Sequence, residues 1–352
     1  MQLKLLRVDP DHRELADEAL HEIERRLLGE ESSYPSSIPA GQVWIAVTTY
    51  LAQRVQATPE QKPGRPPDVS TAALEAMRSV FRQMEQAAAD HEAGMLLRTN
   101  RARVLLDVAN PSATRNIDGK PLTQRELTRV AAGDEKHAEE ALMEIERRLL
   151  GEGRAQPSSV ESGLVWRTVI SYLDKRVQGS PDQKPGRKPD VSAQALEAMR
   201  RVFRQMQSDV ARHEAGMRLR GNRVRVLHDI CNPSADLNIY NKPLTQLGLT
   251  RLPPKEMPRA EEALKEIERR LLDEGWSEPV TDADRNVWRA VAKYLDGRLH
   301  GEHAQKPGRK PDMSALAAAA VREVLRQMRT LPEISSGGLP NLRGPAAQAM
   351  SH

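Results

Sequence analysis

The sequence is poor in cysteine, in aromatic residues and in long apolar runs. Cys231 is the single cysteine, so neither a disulfide framework nor a cysteine-based zinc site can form within one chain. A membrane-spanning helix needs roughly 18 or more successive apolar residues, and no such run occurs. The start, MQLKLLRVDPDHRE, lacks the apolar core of a signal peptide. We therefore expect a protein that is cytoplasmic in the producing cell, and any export would use a route without a cleaved signal peptide.

The overall composition is that of a helix-rich protein with well-solvated surfaces. Of 352 residues, 39% are hydrophobic, 29% are charged and 3% are aromatic, and the net charge is +4. Charges of both signs alternate along most segments, as is typical of exposed helix faces. Patterns for a phosphate-binding loop, a nucleophile elbow or paired catalytic carboxylates are absent from the sequence. We therefore expect a protein that is not an enzyme, that needs no cofactor and that has no small-molecule substrate.

One sequence unit recurs three times at a spacing of 122 residues. The word EIERRLL occurs around Ile23, Ile145 and Ile267. The segment NPSATRNIDGKPLTQRELTR returns as NPSADLNIYNKPLTQLGLTR, whereas the third copy lacks it. The alignment of the three copies predicts a partial start at 1–13, complete repeat units at 14–135 and 136–257, a truncated unit at 258–330 and a flexible tail at 331–352.

Apolar spacing predicts an all-α fold of tandem helical repeats, with four helices and a short fifth in each complete unit. No segment has a convincing strand pattern. We expect the helix that ends in EIERRLL to form the interface between adjacent units, and repeats of this kind present extended surfaces to partner proteins. In the second copy the predicted helices cover 138–150, 164–176, a stretch from the N-cap Ser192 to about Met206, 209–230 and 245–252.

Each unit also divides into two helix–loop–helix halves whose outline is like that of an EF-hand. One helix ends in Leu-Asp, a polar loop follows, and a Ser or Thr opens the next helix. Calcium binding needs several oxygen ligands at fixed offsets and a closing Glu. The best candidate set, Asn116, Asp118, Gly119 and Glu126, has one residue too many before the Glu, and Tyr240 replaces Asp118 in the next copy. We therefore predict loops that lack calcium ligands, and no metal site.

The phrase LLDVANPSATRNIDGKPLTQRELTRV, followed by a helix ending in EIERRLL, resembles the repeat region of the HrpF/NolX translocon proteins of type III secretion in plant-associated bacteria. The matching positions are Leu106-Asp107, Asp118-Gly119 and Glu126-Leu127. The resemblance implies a bacterial, secreted virulence or symbiosis protein that acts by binding a partner protein. The long hydrophobic segments with which that family inserts into membranes are absent here, so the resemblance does not extend to pore formation.

A basic loop precedes a similar helix in all three copies, as QKPGRPPD, QKPGRKPD and QKPGRKPD. Extended Gly-Arg-Pro segments can place an arginine in the minor groove of DNA, which makes DNA or RNA binding the alternative function. An Asp follows every loop and disfavours phosphate contacts, and no convincing recognition helix is present. The candidate residues for contact with a polyanion or a partner protein are Lys62, Arg65, Lys184, Arg187, Lys188, Lys306, Arg309 and Lys310.

Two further features are interpreted as structural. Trp44, Trp166 and Trp288 lie on apolar stripes, and we expect them to anchor the core rather than to stack on a ligand. The words beginning His91-Glu92 and His213-Glu214 lack the second histidine of a zinc-protease motif. We therefore expect these four residues to lie on a helix surface.

Overall fold

The computed structural model describes residues 9–56, 70–110, 129–178, 191–232, 251–301 and 313–331. Regular structure in these ranges is helical and contains no strand, which confirms the predicted all-α class. Short 3-10 turns cover Pro10–His12 and Pro254–Glu256. The α-helices of the described ranges are α1 (Arg13–Leu28), α2 (Ile38–Gln56), α3 (Thr71–Ala109), α4 (Glu135–Leu149), α5 (Val160–Gln178), α6 (Ala193–Cys231), α7 (Met257–Leu272), α8 (Asp282–Gly301) and α9 (Ala315–Arg329).

The helices start at positions that follow the spacing of the sequence copies. Helices α1, α4 and α7 begin at Arg13, Glu135 and Met257, which are 122 residues apart. Each contains one copy of the word EIERRL. Helices α2, α5 and α8 begin at the same spacing, and so do α3, α6 and α9. Equivalent positions therefore begin a helix in each copy, although the residues at those positions differ.

The chain divides into two compact units, which are not the same as the three sequence copies. Compact unit 1 comprises Met1–Ala155 and Thr168–Met206. Compact unit 2 comprises Gln156–Arg167 and Gln207–His352. The predicted boundaries of the sequence copies stay a prediction. Within unit 1, one apolar cluster joins α1, α2 and α3 through Ala19, Ile23, Val43, Trp44, Val47, Val80, Phe81 and Met84.

The core of compact unit 2 is formed by α7, α8, α9 and the end of α6. Trp288 of α8 lies in it with Ile267 of α7 and Leu325 of α9, all of them buried. The single cysteine, Cys231, is buried in the same cluster, and burial raises the pKa of its thiol. An apolar environment suits a packing residue better than a reactive thiolate.

The third and fourth helices predicted for each unit form one continuous helix. Helix α6 runs from Ala193 to Cys231 and has 39 residues, and α3 has the same length. The Ser208-Asp209 pair resembles an N-cap, but no proline or glycine interrupts the chain there, and the apolar stripe continues through the buried Val210 and Ala215. Of the predicted fifth helix, Arg251 and Leu252 are not helical, and the rest lies outside the described residues.

A buried glutamate in the word EIERRL holds the loop that follows α1, α4 and α7. In α7, Glu266 accepts hydrogen bonds from the backbone N–H of Ser277 at 2.9 Å and from its hydroxyl at 2.6 Å. Its Oε1 also accepts from Nε of Arg270 at 2.6 Å. Glu22 accepts the same two bonds from Ser33 in the first copy. The carboxylate thus accepts hydrogen bonds from N–H and O–H groups of the loop that follows the helix.

The second copy lacks one bond of this arrangement. Glu144 accepts from the backbone N–H of Ala155 at 2.8 Å, but alanine has no hydroxyl, and Oε2 of Glu144 has no hydrogen-bond partner within the described ranges. Ala155→Ser is therefore expected to raise the free energy of unfolding by about 0.5–1.5 kcal/mol, the usual net value of one hydrogen bond. Urea unfolding followed by circular dichroism measures this change.

The reverse replacement in the third copy is the matched control. Ser277→Ala removes the corresponding hydroxyl bond to Glu266 and should lower stability by a similar amount. A stabilising effect of Ser277→Ala, or a destabilising effect of Ala155→Ser, would contradict the assigned role of the hydroxyl.

Candidate functional site

A close helix–helix junction between α3 and α4 lies in compact unit 1, and we call it the α3–α4 junction. Gly94 of α3 faces Leu149 and Leu150 at the end of α4. A Cβ atom placed on Gly94 would lie 2.7 Å from the side chain of Leu150 and 3.2 Å from Cβ of Leu149. Such distances are shorter than normal carbon contacts, so glycine permits the two helices to approach this closely.

Arginines beside Gly94 complete the α3–α4 junction with ion pairs. Nε of Arg98 lies 2.7 Å from Glu146 of α4, and the same guanidinium lies 2.9 Å from Glu152. Arg101 lies 3.1 Å from the same Glu146, whose side chain is almost fully buried. The hydrogen bonds to Glu146 and Glu152 raise the pKa of Arg98. Two cations therefore compensate a carboxylate that the junction removes from water.

The same arrangement recurs in compact unit 2, between α6 and α7. A Cβ atom on Gly216 would lie 2.6 Å from Leu272 and 3.2 Å from Cβ of Leu271. This is the α6–α7 junction. Glu268 forms ion pairs with Arg220 at 3.5 Å and with Arg223 at 3.4 Å. Arg220 also lies 2.6 Å from Glu274.

At the α6–α7 junction, desolvation has the largest effect on the pKa of Glu268. Burial raises the pKa of the Glu268 carboxyl, and the nearby Arg223 and Arg220 oppose that shift. The two arginines therefore offset part of the cost of burying this carboxylate.

A glutamate next to each junction accepts hydrogen bonds from the N-cap serine of a later helix. The backbone N–H and hydroxyl of Ser192 donate to Glu92 at 3.0 and 2.6 Å, and Ser192 is the N-cap of α6. In compact unit 2, Ser314 donates to Glu214 at 3.2 and 2.7 Å and caps α9. Although burial acts in the opposite direction, hydrogen bonds from Arg167 and Ser314 lower the pKa of the Glu214 carboxyl.

The prediction that the His-Glu pairs lie on a helix surface is wrong. His91 and His213 are buried, and so is Glu214, while Glu92 is half-buried. Burial lowers the pKa of both imidazoles, and Arg98 and Arg220 respectively lower it further. The histidines are thus neutral packing residues at the junctions.

A pattern in the sequence marks the long-helix side of both junctions. The segment H-E-A-G-M-x-L-R-x-N-R occurs in the first two copies and places a glycine within a helix, with arginines four and seven residues later. Residues at this spacing share one helix face.

In the first copy, the corresponding face of α1 is uncovered. We call Leu20, Glu24, Leu27, Leu28 and Glu30 the α1 face. Leu20, Leu27 and Leu28 are 41%, 42% and 74% exposed, and both glutamates are exposed. The leucines at the corresponding positions of α4 and α7 are at most 8% exposed. The same three leucine positions are therefore covered at two junctions and exposed on α1.

The other residues singled out by the sequence fall into two groups. Trp44, Trp166 and Trp288 are all buried. The basic-loop residues Lys62, Arg65, Lys184, Arg187, Lys188, Lys306, Arg309 and Lys310 lie outside the described residues, as do the calcium candidates Asn116, Asp118, Gly119 and Glu126. Nucleic-acid binding through those loops stays a prediction.

The described ranges lack the features of a metal site and of a membrane span. They hold no cluster of three or more His, Cys, Asp or Glu side chains that could bind a metal ion. Every helix in those ranges is too short or too polar to span a bilayer.

The close approach at Gly216 predicts a position-dependent response to a larger side chain. Gly216→Leu should lower the free energy of unfolding by about 1–3 kcal/mol, because overpacking against Leu271 and Leu272 outweighs the gain in helix propensity. Gly221→Leu is the matched control in the same helix, since a Cβ there meets no atom within 4 Å. The control should be neutral or stabilising in urea unfolding. Equal effects of the two variants would contradict the junction geometry.

Comparison of the chain with protein-family models, with curated proteins and with solved structures finds no match. The resemblance to the HrpF/NolX repeats therefore stays a prediction from the sequence.

Proposed function

We propose that this chain is a non-enzymatic helical repeat protein that binds a partner protein through the α1 face. The observation that supports the proposal is the contrast between α1 and its two counterparts. At the two junctions the corresponding leucines, together with Glu146 and Glu268, are covered by a long helix, and on α1 the leucines and Glu24 are exposed. An apolar patch with charged residues at its edge is typical of a protein interaction site.

The binding mode is helix against helix. Both covered counterparts pack on another helix, and amphipathic helices recognise apolar faces through residues spaced three or four apart. Complete burial of an exposed leucine side chain contributes about 1.5–3 kcal/mol. Leu28 is the most exposed of the three leucines, so its burial contributes most to the free energy of binding. Glu24 and Glu30 at the edge add orientation and specificity more than affinity.

Selection of helix-forming peptides from a displayed library against the full chain tests this function. We expect enriched peptides whose affinity falls tenfold or more when Leu28 is replaced by Asp. Val224→Asp is the matched control, because Val224 is 73% exposed on α6, almost as much as Leu28. Failure to enrich any peptide, or enriched peptides that bind Leu28→Asp unchanged, would contradict the proposed function.

We further propose, on the resemblance of the repeats, that the producing cell is a bacterium that exports this protein by type III secretion. Secretion of a C-terminally tagged chain from a plant-associated strain, with and without a working apparatus, tests this. Release only with the working apparatus supports export, whereas retention in both strains contradicts it.

A further inference from the structure

The chain shows twice which kind of helix covers this type of face. At the α3–α4 junction the covering segment is HEAGMLLRTNR, and at the α6–α7 junction it is HEAGMRLRGNR. In each, the glycine lies on the paired leucines and the arginines lie on the buried glutamate. Face and covering segment therefore recur together in two compact units.

The α1 face keeps each residue type that those segments contact. Glu24 corresponds to Glu146 and Glu268, which accept the arginine pairs. Leu27 and Leu28 correspond to the leucines that lie against the glycine, and Glu30 corresponds to Glu152 and Glu274. An uncovered surface with the same residues in the same order favours the same kind of occupant.

Both copies of the covering segment in the described ranges are already engaged. The segment on α3 is covered by α4, and the segment on α6 is covered by α7. In the third copy, Ser335 and Ser336 stand where the His-Glu pair would be, so the sequence pattern ends there.

We propose that the occupant of the α1 face is a helix that carries a glycine with arginines four and seven residues after it. This inference rests on the proposed function and names its partner chemistry. The glycine allows the helix to approach Leu27 and Leu28, and a larger residue would hold it away. The arginines pair with Glu24 and Glu30, which fixes the direction of the incoming helix.

A labelled peptide of residues 205–230, which contains the α6 segment, is the probe for this inference. Fluorescence anisotropy with the full chain should show saturable binding. Leu28→Asp in the chain, or Gly216→Leu in the peptide, should weaken it tenfold or more, while Val224→Asp in the chain and Gly221→Ala in the peptide should leave it unchanged. Arg220→Glu with Arg223→Glu in the peptide should abolish binding, and Glu24→Arg with Glu30→Arg in the chain should restore part of it.

Three results would overturn the inference. The peptide fails to bind although library peptides of another pattern bind the α1 face, in which case the proposed function stands and the partner chemistry is wrong. The peptide binds equally to Leu28→Asp, which would mean that it replaces a helix at an existing junction. The chain alone dimerises in sedimentation through Leu28, which would make a second copy of this chain the occupant.

Discussion

Replacing Glu266 by alanine is expected to lower the free energy of unfolding by about 3–5 kcal/mol, because it leaves a buried guanidinium without its counterion. The side chain of Arg270 is 2% exposed, and its Nε lies 2.6 Å from Glu266. The guanidinium also stacks on Trp276 and donates to the carbonyl of Ser277 at 3.0 Å, so it cannot reach water without moving the loop. The variant additionally removes both bonds from Ser277 to the carboxylate.

A double replacement distinguishes the free-energy cost of leaving a buried charge unpaired from the cost of losing side-chain packing. Glu266→Leu combined with Arg270→Met replaces the ion pair by apolar side chains, and such exchanges are often neutral or stabilising. Urea unfolding of Glu266→Leu, of Arg270→Met and of the double variant should give a large positive coupling energy. If Glu266→Ala alone changes stability by less than about 1 kcal/mol, the buried pair does not hold the loop.

Replacing Trp44 by alanine is expected to lower the free energy of unfolding by about 3–5 kcal/mol, the usual range for a buried aromatic residue. Trp44 is completely buried in the apolar cluster of α1, α2 and α3. Removing the indole creates a cavity in this cluster that the rigid helices can only partly close. Thermal unfolding followed at 222 nm measures the effect.

Two variants make the Trp44 result interpretable. Trp44→Phe should retain most of the stability, because Nε1 of Trp44 has no hydrogen-bond partner within the described part of the chain and none is lost. Trp276→Ala removes a tryptophan that is half exposed and should cost about 1 kcal/mol or less. Similar losses for Trp44→Ala and Trp276→Ala would show that burial does not set the contribution of Trp44.

Local sequence was sufficient wherever a feature depends on neighbouring residues. The helical class followed from apolar spacing, and the start of α6 followed from Ser192, whose hydroxyl accepts from the N–H of Ala195 at 3.0 Å. The end of the predicted third helix was wrong, because Ser208-Asp209 is a cap signal only when the chain turns there. Because Val210 and Ala215 are both buried, the apolar stripe continues past this point and the helix does not end.

The candidate site required contacts between residues that are far apart in sequence. The His-Glu pairs look like polar surface residues along α3 and α6, and only the packing of α4 and α7 shows that they are buried. The same holds for EIERRLL, whose three copies are identical in sequence but differ in exposure. Pattern alone cannot distinguish them, since exposure depends on whether another helix covers the face.

The sequence by itself determined the helical class, the spacing of 122 residues and the capping residues, because these depend on side-chain type and local spacing. Only the tertiary structure decided that Gly94 and Gly216 are sites of close helix approach and that Leu28 is exposed while Leu150 and Leu272 are buried. The physical reason is that desolvation and steric contact are set by what lies across from a residue, and the same heptapeptide meets a helix at two positions and solvent at the first.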